Sequence, residues 1–152
     1  MNLEDIETLH ELLEIAIQDF QKILLHDDYQ PNMNNWHLGS GASHGRCEVC
    51  LAGSVIAMSL NMPAKKTYSP SDFNEDIGRR LEALNELRLG YIAGAYSALT
   101  DRRKDYWKAL ELSQKWNDRI PDEIKHAKTR EQATELATYL QEMLIDLKAA
   151  GI

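Results

Sequence analysis

The chain has 152 residues and a formal net charge of −7, and 43% of its residues are hydrophobic and 27% charged. This length fits one domain that buries roughly two-thirds of its unfolded surface, enough to fold without a metal or disulfide staple. No apolar run approaches the ~20 residues of a membrane span, and the acidic start MNLEDIETLH argues against a secretory signal. We therefore expect a single cytoplasmic domain over residues 1–152.

The first predicted element is an acidic helix. Asn2 is expected to cap it, and apolar residues at three- and four-residue steps carry it to about Leu25. Residues 1–28 hold eight acidic residues and one base, which leaves 16 of the 24 acids and 16 of the 17 bases for the remainder. All the excess negative charge therefore lies in this segment.

This charge has two interpretations. It forms either a solvated helix face or a surface for a basic partner, which includes mimicry of nucleic-acid phosphates. Direct binding of nucleic acid by this segment is disfavoured, because its negative charge repels the phosphates. The candidate partner-binding residues are Glu4, Glu7, Glu11 and Glu14.

The next two elements are a long loop and a buried helix. Residues 27–45 are rich in Gly and Asn and contain Pro31, which predicts an ordered loop. The string CEVCLAGSVIAMSL is apolar nearly all round and predicts a central buried helix from Arg46 to about Leu60. Gly53 and its small neighbours in this helix allow another backbone to approach closely.

A pair of helices is predicted over the middle of the chain. Ser69-Pro70-Ser71-Asp72 is typical of a helix start and leads into a helix that runs to about Leu89. Gly90 is expected to end or kink it, and a small-residue helix continues to Leu99. The core-facing positions of the first helix are Ile77, Leu81, Leu84, and Leu87 or Arg88.

The C-terminal part is also predicted to be helical. A helix opens near Thr100 and stops before Pro121, with Trp107 and Trp116 expected to anchor it to the core. The basic residues around these tryptophans leave a contact with RNA or single-stranded DNA as a weaker alternative.

Thr129 and Gln132 predict a capping box for the last helix. Its apolar stripe is expected to pack on the first helix, although a second copy of the chain could cover it in a homodimer. No segment alternates with period two for long enough to predict a strand. The expected fold is therefore all-α, a single-domain bundle of about five to six helices around a central apolar helix.

The only two cysteines, Cys47 and Cys50, follow His44 in the run SHGRCEVC. In a reducing compartment such a C-x-x-C binds metal, carries out redox chemistry or stays reduced. Together with His37, the run could supply four zinc ligands: His37, His44, Cys47 and Cys50. The spacing matches no common zinc-finger template, and we favour a buried pair without a ligand because free cysteine behaves as a small hydrophobe.

The redox interpretation depends on thiolate formation, which a helix N-terminus favours. All-helical peroxidase-partner proteins with a C-x-x-C place a His a few residues beyond the second cysteine. Here those positions are Leu51, Ala52, Gly53 and Ser54. A dithiol enzyme is therefore disfavoured, and no catalytic residue is assigned.

The order of an acidic first helix, NNWH, CEVCLAGSVIAMSL and DFNEDIGRRLEALNELRLG resembles small uncharacterised proteins of tailed bacteriophages and prophages. Those proteins share a Trp-His loop, a C-x-x-C-x-A-G helix and a later acidic-Ile-Gly-Arg-Arg-Leu-x-Ala-Leu segment. The resemblance covers about residues 3–99 and implies an accessory protein of the infected host's cytoplasm that acts by binding, with no implied reaction. The positions that carry it are Trp36, His37, Cys47, Cys50, Ala52, Gly53, Ile77 and Gly78.

The sequence thus predicts a non-enzymatic accessory protein that binds a host or phage macromolecule. A protein partner is favoured over nucleic acid, and no cofactor is expected unless zinc is bound. Two alternatives stay open: a structural zinc protein with a nucleic-acid or regulatory role, and a dithiol redox enzyme.

Overall fold

The computed structural model describes residues 2–43 and 45–152. Over these residues the fold is mainly helical, with one small sheet. No described helix is both long and apolar enough to cross a membrane. The elements are two 3-10 turns at Leu3–Asp5 and Pro70–Asp72; α1 Leu9–Leu24, α2 Ser40–Ser43, α3 Leu51–Ala57, α4 Glu75–Arg88, α5 Ile92–Leu99, α6 Tyr106–Arg119, α7 Asp122–Lys125 and α8 Arg130–Ala150; and β1 Tyr29–Pro31, β2 His37–Leu38 and β3 Cys47–Val49.

The small sheet makes the all-α prediction wrong in detail, although the fold is mainly α. β3 is the central strand; it runs parallel to β1, with Cys47 opposite Tyr29, and antiparallel to β2, with Val49 opposite His37. Strands of two or three residues are too short to show an alternating pattern. They form through pairing between distant segments, which a local pattern does not reveal.

The predicted central helix begins later than expected. Residues Cys47–Val49 form β3, Cys50 caps α3, and all seven residues of α3 are buried. The Cys50 sulfur accepts a hydrogen bond from the Gly53 N–H at 3.3 Å, a cap position that Ser, Thr or Asp usually occupies. The two cysteines therefore lie on different elements.

The first helix is also displaced. Asn2 does not cap it; α1 begins at Leu9, and the Thr8 side chain accepts a hydrogen bond from the Glu11 N–H. Glu4 and Glu7 lie on the irregular segment before the helix, and only Glu11 and Glu14 of the predicted acidic set lie on α1.

The turn between α4 and α5 depends on Gly90. This residue has φ of 81°, and a Cβ there would lie 2.6 Å from the Trp116 carbonyl oxygen of α6. Glycine is therefore required both by its left-handed conformation and by the close approach of α6. The Ser69–Asp72 motif forms only a 3-10 turn, and Asn74 caps α4 instead.

The helices of the C-terminal part follow the prediction more closely. α6 begins at Tyr106 rather than near Thr100, and it ends before Pro121 as expected. Thr129 caps α8, but the Gln132 side chain accepts from the Lys128 N–H and not from that of Thr129.

The apolar stripe of α8 packs on α1 within the chain, as predicted. α1 also contacts α3 and α4, so it lies at the centre of the main core. A smaller apolar cluster lies beside the sheet and consists of Ile23, Tyr29, Cys47, Val49 and Ala57.

The close approach of the Trp36 carbonyl to Gly53 gives a stability prediction. A Cβ at Gly53 would lie 1.7 Å from the Trp36 carbonyl oxygen, so Gly53→Ala must displace either α3 or the loop. We expect it to lower the free energy of unfolding by about 3 kcal/mol or more, the upper end of overpacking costs. Guanidinium unfolding followed by circular dichroism measures this. Gly45→Ala is the matched control, because no atom lies within 4 Å of its Cβ position; equal midpoints for the two variants would contradict the close approach.

Candidate functional site

His37 and Cys47 are buried neighbours in the sheet, at 1% and 0% exposure. The Cys47 sulfur lies 3.6 Å from His37 Nε2, and His37 Nδ1 lies 2.9 Å from the Lys66 carbonyl oxygen. Because a carbonyl only accepts, Nδ1 donates to it and Nε2 is the acceptor that faces the thiol. The sulfur also lies 3.7 Å from Nδ1, so the thiol is almost equally far from both ring nitrogens, and Nε2 is the one that can accept from it.

Burial keeps both members of this pair neutral. It raises the pKa of the Cys47 thiol to about 12, with a further contribution from the negative charge of Glu48. It also lowers the pKa of His37 below its ordinary value, against the opposing effect of the hydrogen bond to Lys66. Nucleophilic cysteine chemistry needs a thiolate, so the shifts run the wrong way for catalysis.

Cys50 has a different environment. It belongs to the main core at 1% exposure. Its sulfur accepts a hydrogen bond from the Gly53 N–H, and its thiol donates to the Trp36 carbonyl oxygen at 3.8 Å. Burial raises the pKa of this thiol as well. Both cysteines are free thiols and both are buried. This geometry weighs against a dithiol enzyme.

The four predicted zinc ligands come together only in part. Tetrahedral bonds of about 2.0 Å to nitrogen and about 2.3 Å to sulfur place two ligand atoms roughly 3.5 Å apart, close to the separation of His37 and Cys47. Cys50 is held at the cap of α3, and His44 lies outside the described residues. Among the residues that are described, no group of three or more His, Cys, Asp or Glu side chains could hold a metal ion. The four-ligand zinc site stays a prediction.

The four predicted partner-binding residues divide into two pairs. Glu4 and Glu7 are exposed, whereas Glu11 and Glu14 are half-buried. The Thr8 hydroxyl donates to Glu11 at 2.7 Å, and the Lys148 ammonium donates to Glu14 at 3.3 Å. The second pair is therefore already engaged within the chain.

The start of α4 enlarges the surface around Glu4 and Glu7. Asn74 donates to the Glu4 carboxylate at 3.2 Å, and buried Arg80 donates to the backbone carbonyls of both Ile6 and Asp76. These contacts hold the segment before α1 against the first turn of α4. We name the resulting set of exposed carboxylates the acidic surface: Glu4, Asp5, Glu7, Glu75 and Asp76.

The two tryptophans of α6 differ, so the prediction that both anchor the helix is wrong for Trp107. Trp116 is 1% exposed and its indole donates to Asp146 at 2.8 Å, whereas Trp107 is 61% exposed. Residues nine apart point in opposite directions on a helix with 100° per residue. The spacing itself therefore excluded a common anchoring face.

Three buried cations were not recognised as candidates from the sequence: Arg80, Arg88 and Lys125, at 7–9% exposure. Such residues are seldom buried unless they are paired. A signal was available for Arg88, because the apolar period of α4 allowed it a core-facing position. A charge on a core stripe indicates either a buried polar network or a ligand.

No protein-family model matches the chain, and neither the curated proteins nor the solved structures gave a match. The fold defines a mainly helical domain with a three-stranded mixed sheet. The resemblance to phage proteins stays a prediction.

The environment of the thiols gives a labelling prediction. In the native protein at pH 7.5 we expect iodoacetamide to modify Cys47 and Cys50 at least about 100-fold more slowly than in guanidinium, because both are buried and protonated. Mass spectrometry of quenched time points measures the rates. Rapid native labelling at pH 6 would contradict this and restore the dithiol enzyme.

Metal content gives a second prediction. We expect well below one zinc per purified chain, because a close pair of ligands is only half of a structural site. Elemental analysis measures it, and His37→Ala with His26→Ala as an exposed control separates specific from adventitious metal. About one zinc per chain that only His37→Ala removes would establish the zinc site.

Proposed function

We propose that the protein acts by binding a macromolecular partner without catalysis, and that this partner is a positively charged segment of another protein. The observation that carries the proposal is the acidic surface: none of its five carboxylates takes part in an ion pair among residues 2–43 and 45–152. Buried Arg80 offsets only part of their charge.

Local roles explain only some of these acids. Glu75 and Asp76 lie in the first turn of α4, where carboxylates interact favourably with the helix dipole. Glu7 lies just before the Thr8 cap of α1, outside the helix, and its carboxylate accepts no hydrogen bond from a described residue. Like charges held side by side repel, and a basic partner would relieve this repulsion and be steered towards the surface.

An adjacent cavity favours a protein over a nucleic acid. It has a volume of about 160 Å³, and its lining joins Glu4 to the apolar side chains of Leu3, Ile15, Leu60 and Ile77. A partner with basic residues beside one apolar side chain fits this combination. Phosphates would be repelled by the same surface.

A non-enzymatic role is supported by the chemistry of the cysteines, since both thiols are buried and their pKa values are raised. The context of phage infection rests on the sequence resemblance alone. A structural zinc protein is the second candidate, favoured by one observation: the Lys66 carbonyl orients His37 as an outer-shell partner orients a metal ligand.

The proposal predicts that neutralising the acidic surface abolishes binding. Immobilised protein should capture a partner from bacterial lysate at low salt and release it at about 0.5 M salt, where the Debye length falls to a few ångströms. We expect Glu4→Gln combined with Glu7→Gln to lose this capture, measured by quantitative mass spectrometry.

The matched control is Glu123→Gln combined with Glu131→Gln, which removes two exposed carboxylates elsewhere. This control should capture as the wild type does. Capture that survives neutralisation of Glu4 and Glu7, or no enriched protein at low salt, would contradict the proposal.

A further inference from the structure

Arg88 is a buried cation without a carboxylate partner. Its side chain is 7% exposed; Nε donates to Asn85 Oδ1 at 3.0 Å, and Nη1 donates to the Lys125 carbonyl oxygen. A guanidinium has five N–H groups, and no described residue accepts a hydrogen bond from Nη2. Within the described part of the chain, no carboxylate lies within 4.0 Å of Arg88.

The guanidinium lines an open cavity of about 210 Å³, which is smaller than a site for a drug-sized ligand but has room for a small anion. The cavity is formed where the loop before β2 passes the end of α4. The other polar side chains of its wall are amides, and the Trp36 indole, the Cys50 thiol and Met33 complete it. The lining includes Asn34, Asn35, Trp36, Cys50, Asn85 and Arg88.

Two of the amides that line the cavity have NH₂ groups that donate to no described residue. Asn85 uses its oxygen to accept from Arg88, and the Asn34 oxygen lies 3.1 Å from His126 Nδ1, so their NH₂ groups remain for a ligand. Asn35 is turned the other way, because its NH₂ donates to Glu48 at 3.1 Å. The carboxylate of Glu48 is thereby held by amides and does not line the cavity.

The uncompensated charge explains what such a cavity would bind. Burying an ion without a counter-ion is unfavourable, and burial lowers the pKa of Arg88, although the nearby Cys50 and Glu86 act in the opposite direction. Lys125 is buried beside it, with its ammonium on Asn117 rather than on a ligand. A guanidinium matches the geometry of carboxylate and phosphate oxygens and keeps its charge at any working pH.

We propose that the cavity binds a small oxyanion, the carboxylate or phosphate group of a small molecule, between Arg88, Asn85 and Asn34. The half-buried indole of Trp36 packs against the remainder of the ligand. This site is separate from the acidic surface and does not depend on the function proposed for it.

The test is a nitrogen–proton NMR titration of the labelled full chain with sodium phosphate and, separately, with sodium acetate. Sodium chloride at matched ionic strength is the control. We expect saturable shifts of the Arg88 Nε–H, the Asn34 and Asn85 NH₂ groups and the Trp36 indole in the millimolar range. Saturation by phosphate alone assigns a phosphate ligand, and saturation by acetate alone assigns a carboxylate. The absence of saturable shifts at these groups with either anion, up to tens of millimolar, overturns the proposal.

Variants distinguish anion binding in the cavity from nonspecific attraction of anions to exposed cations. Arg88→Gln should abolish the saturable shifts, and Asn34→Ala should weaken affinity about 10-fold, as expected for one hydrogen bond to a charged group. Arg103→Gln, which removes an exposed guanidinium, should retain the wild-type affinity. If Arg88→Gln does not fold, equal affinities for Asn34→Ala and Arg103→Gln overturn the proposal by themselves.

Discussion

Hydrogen bonds from cationic side chains to backbone carbonyl groups hold the irregular segments of this protein in place. Arg130 at the start of α8 donates to the carbonyls of Leu24, His26 and Tyr29, and so satisfies the C-terminal end of α1 and the start of β1. Arg80 fixes the segment before α1 in the same way. Since the loop that carries Trp36 follows β1, the position of both the oxyanion cavity and the acidic surface depends on these bonds.

This use of cations also affects the charge that solvent meets. Arg80, Arg88 and Lys125 each donate to at least one backbone carbonyl oxygen and are at most 9% exposed. Of the carboxylates, Asp19 is buried, where it accepts a hydrogen bond from Ser59. The surface is therefore more negative than the sequence total of −7. The proposed contact with a basic partner and the proposed oxyanion cavity are thus two results of one arrangement, with the excess cations inside and the excess acids outside.

The sequence predicted the features that depend on local chemistry. The cap at Thr129, the stop at Pro121 and the buried stripe of α8 follow from side chains within a turn or two of one another, and all three are present. The strands were missed because each is stabilised by a partner from a distant segment. The contact of Gly53 with Trp36 was predicted only in part. Small residues in a helix indicate that another backbone segment packs closely, but they do not identify that segment.

The candidate sites could be predicted to a smaller extent. The acidic residues of the first segment were visible, but Glu75 and Asp76 join them only because Asn74 and Arg80 hold α4 alongside. Trp107 was assigned to the core although its spacing from Trp116 excludes a shared face. Arg88 was visible at a core-facing position. That it has no carboxylate partner can be recognised only when the positions of all the segments packed around it are known.

The order of strands in the sheet bears on how the chain folds. β3 is the central strand but the last of the three in sequence, so β1 has no pairing partner until Cys47–Val49 is available. The first strand thus depends on a parallel contact that closes a loop, a slow step compared with the formation of a helix. Cys50 and Gly53 come directly after β3 in sequence. Their contacts with the Trp36 carbonyl oxygen can therefore hold the loop before β2 only after β3 has paired. Nascent chains that end before Val49 would therefore expose an unpaired strand and an uncovered end of α1, a state in which a chaperone or a second chain competes for the same edge.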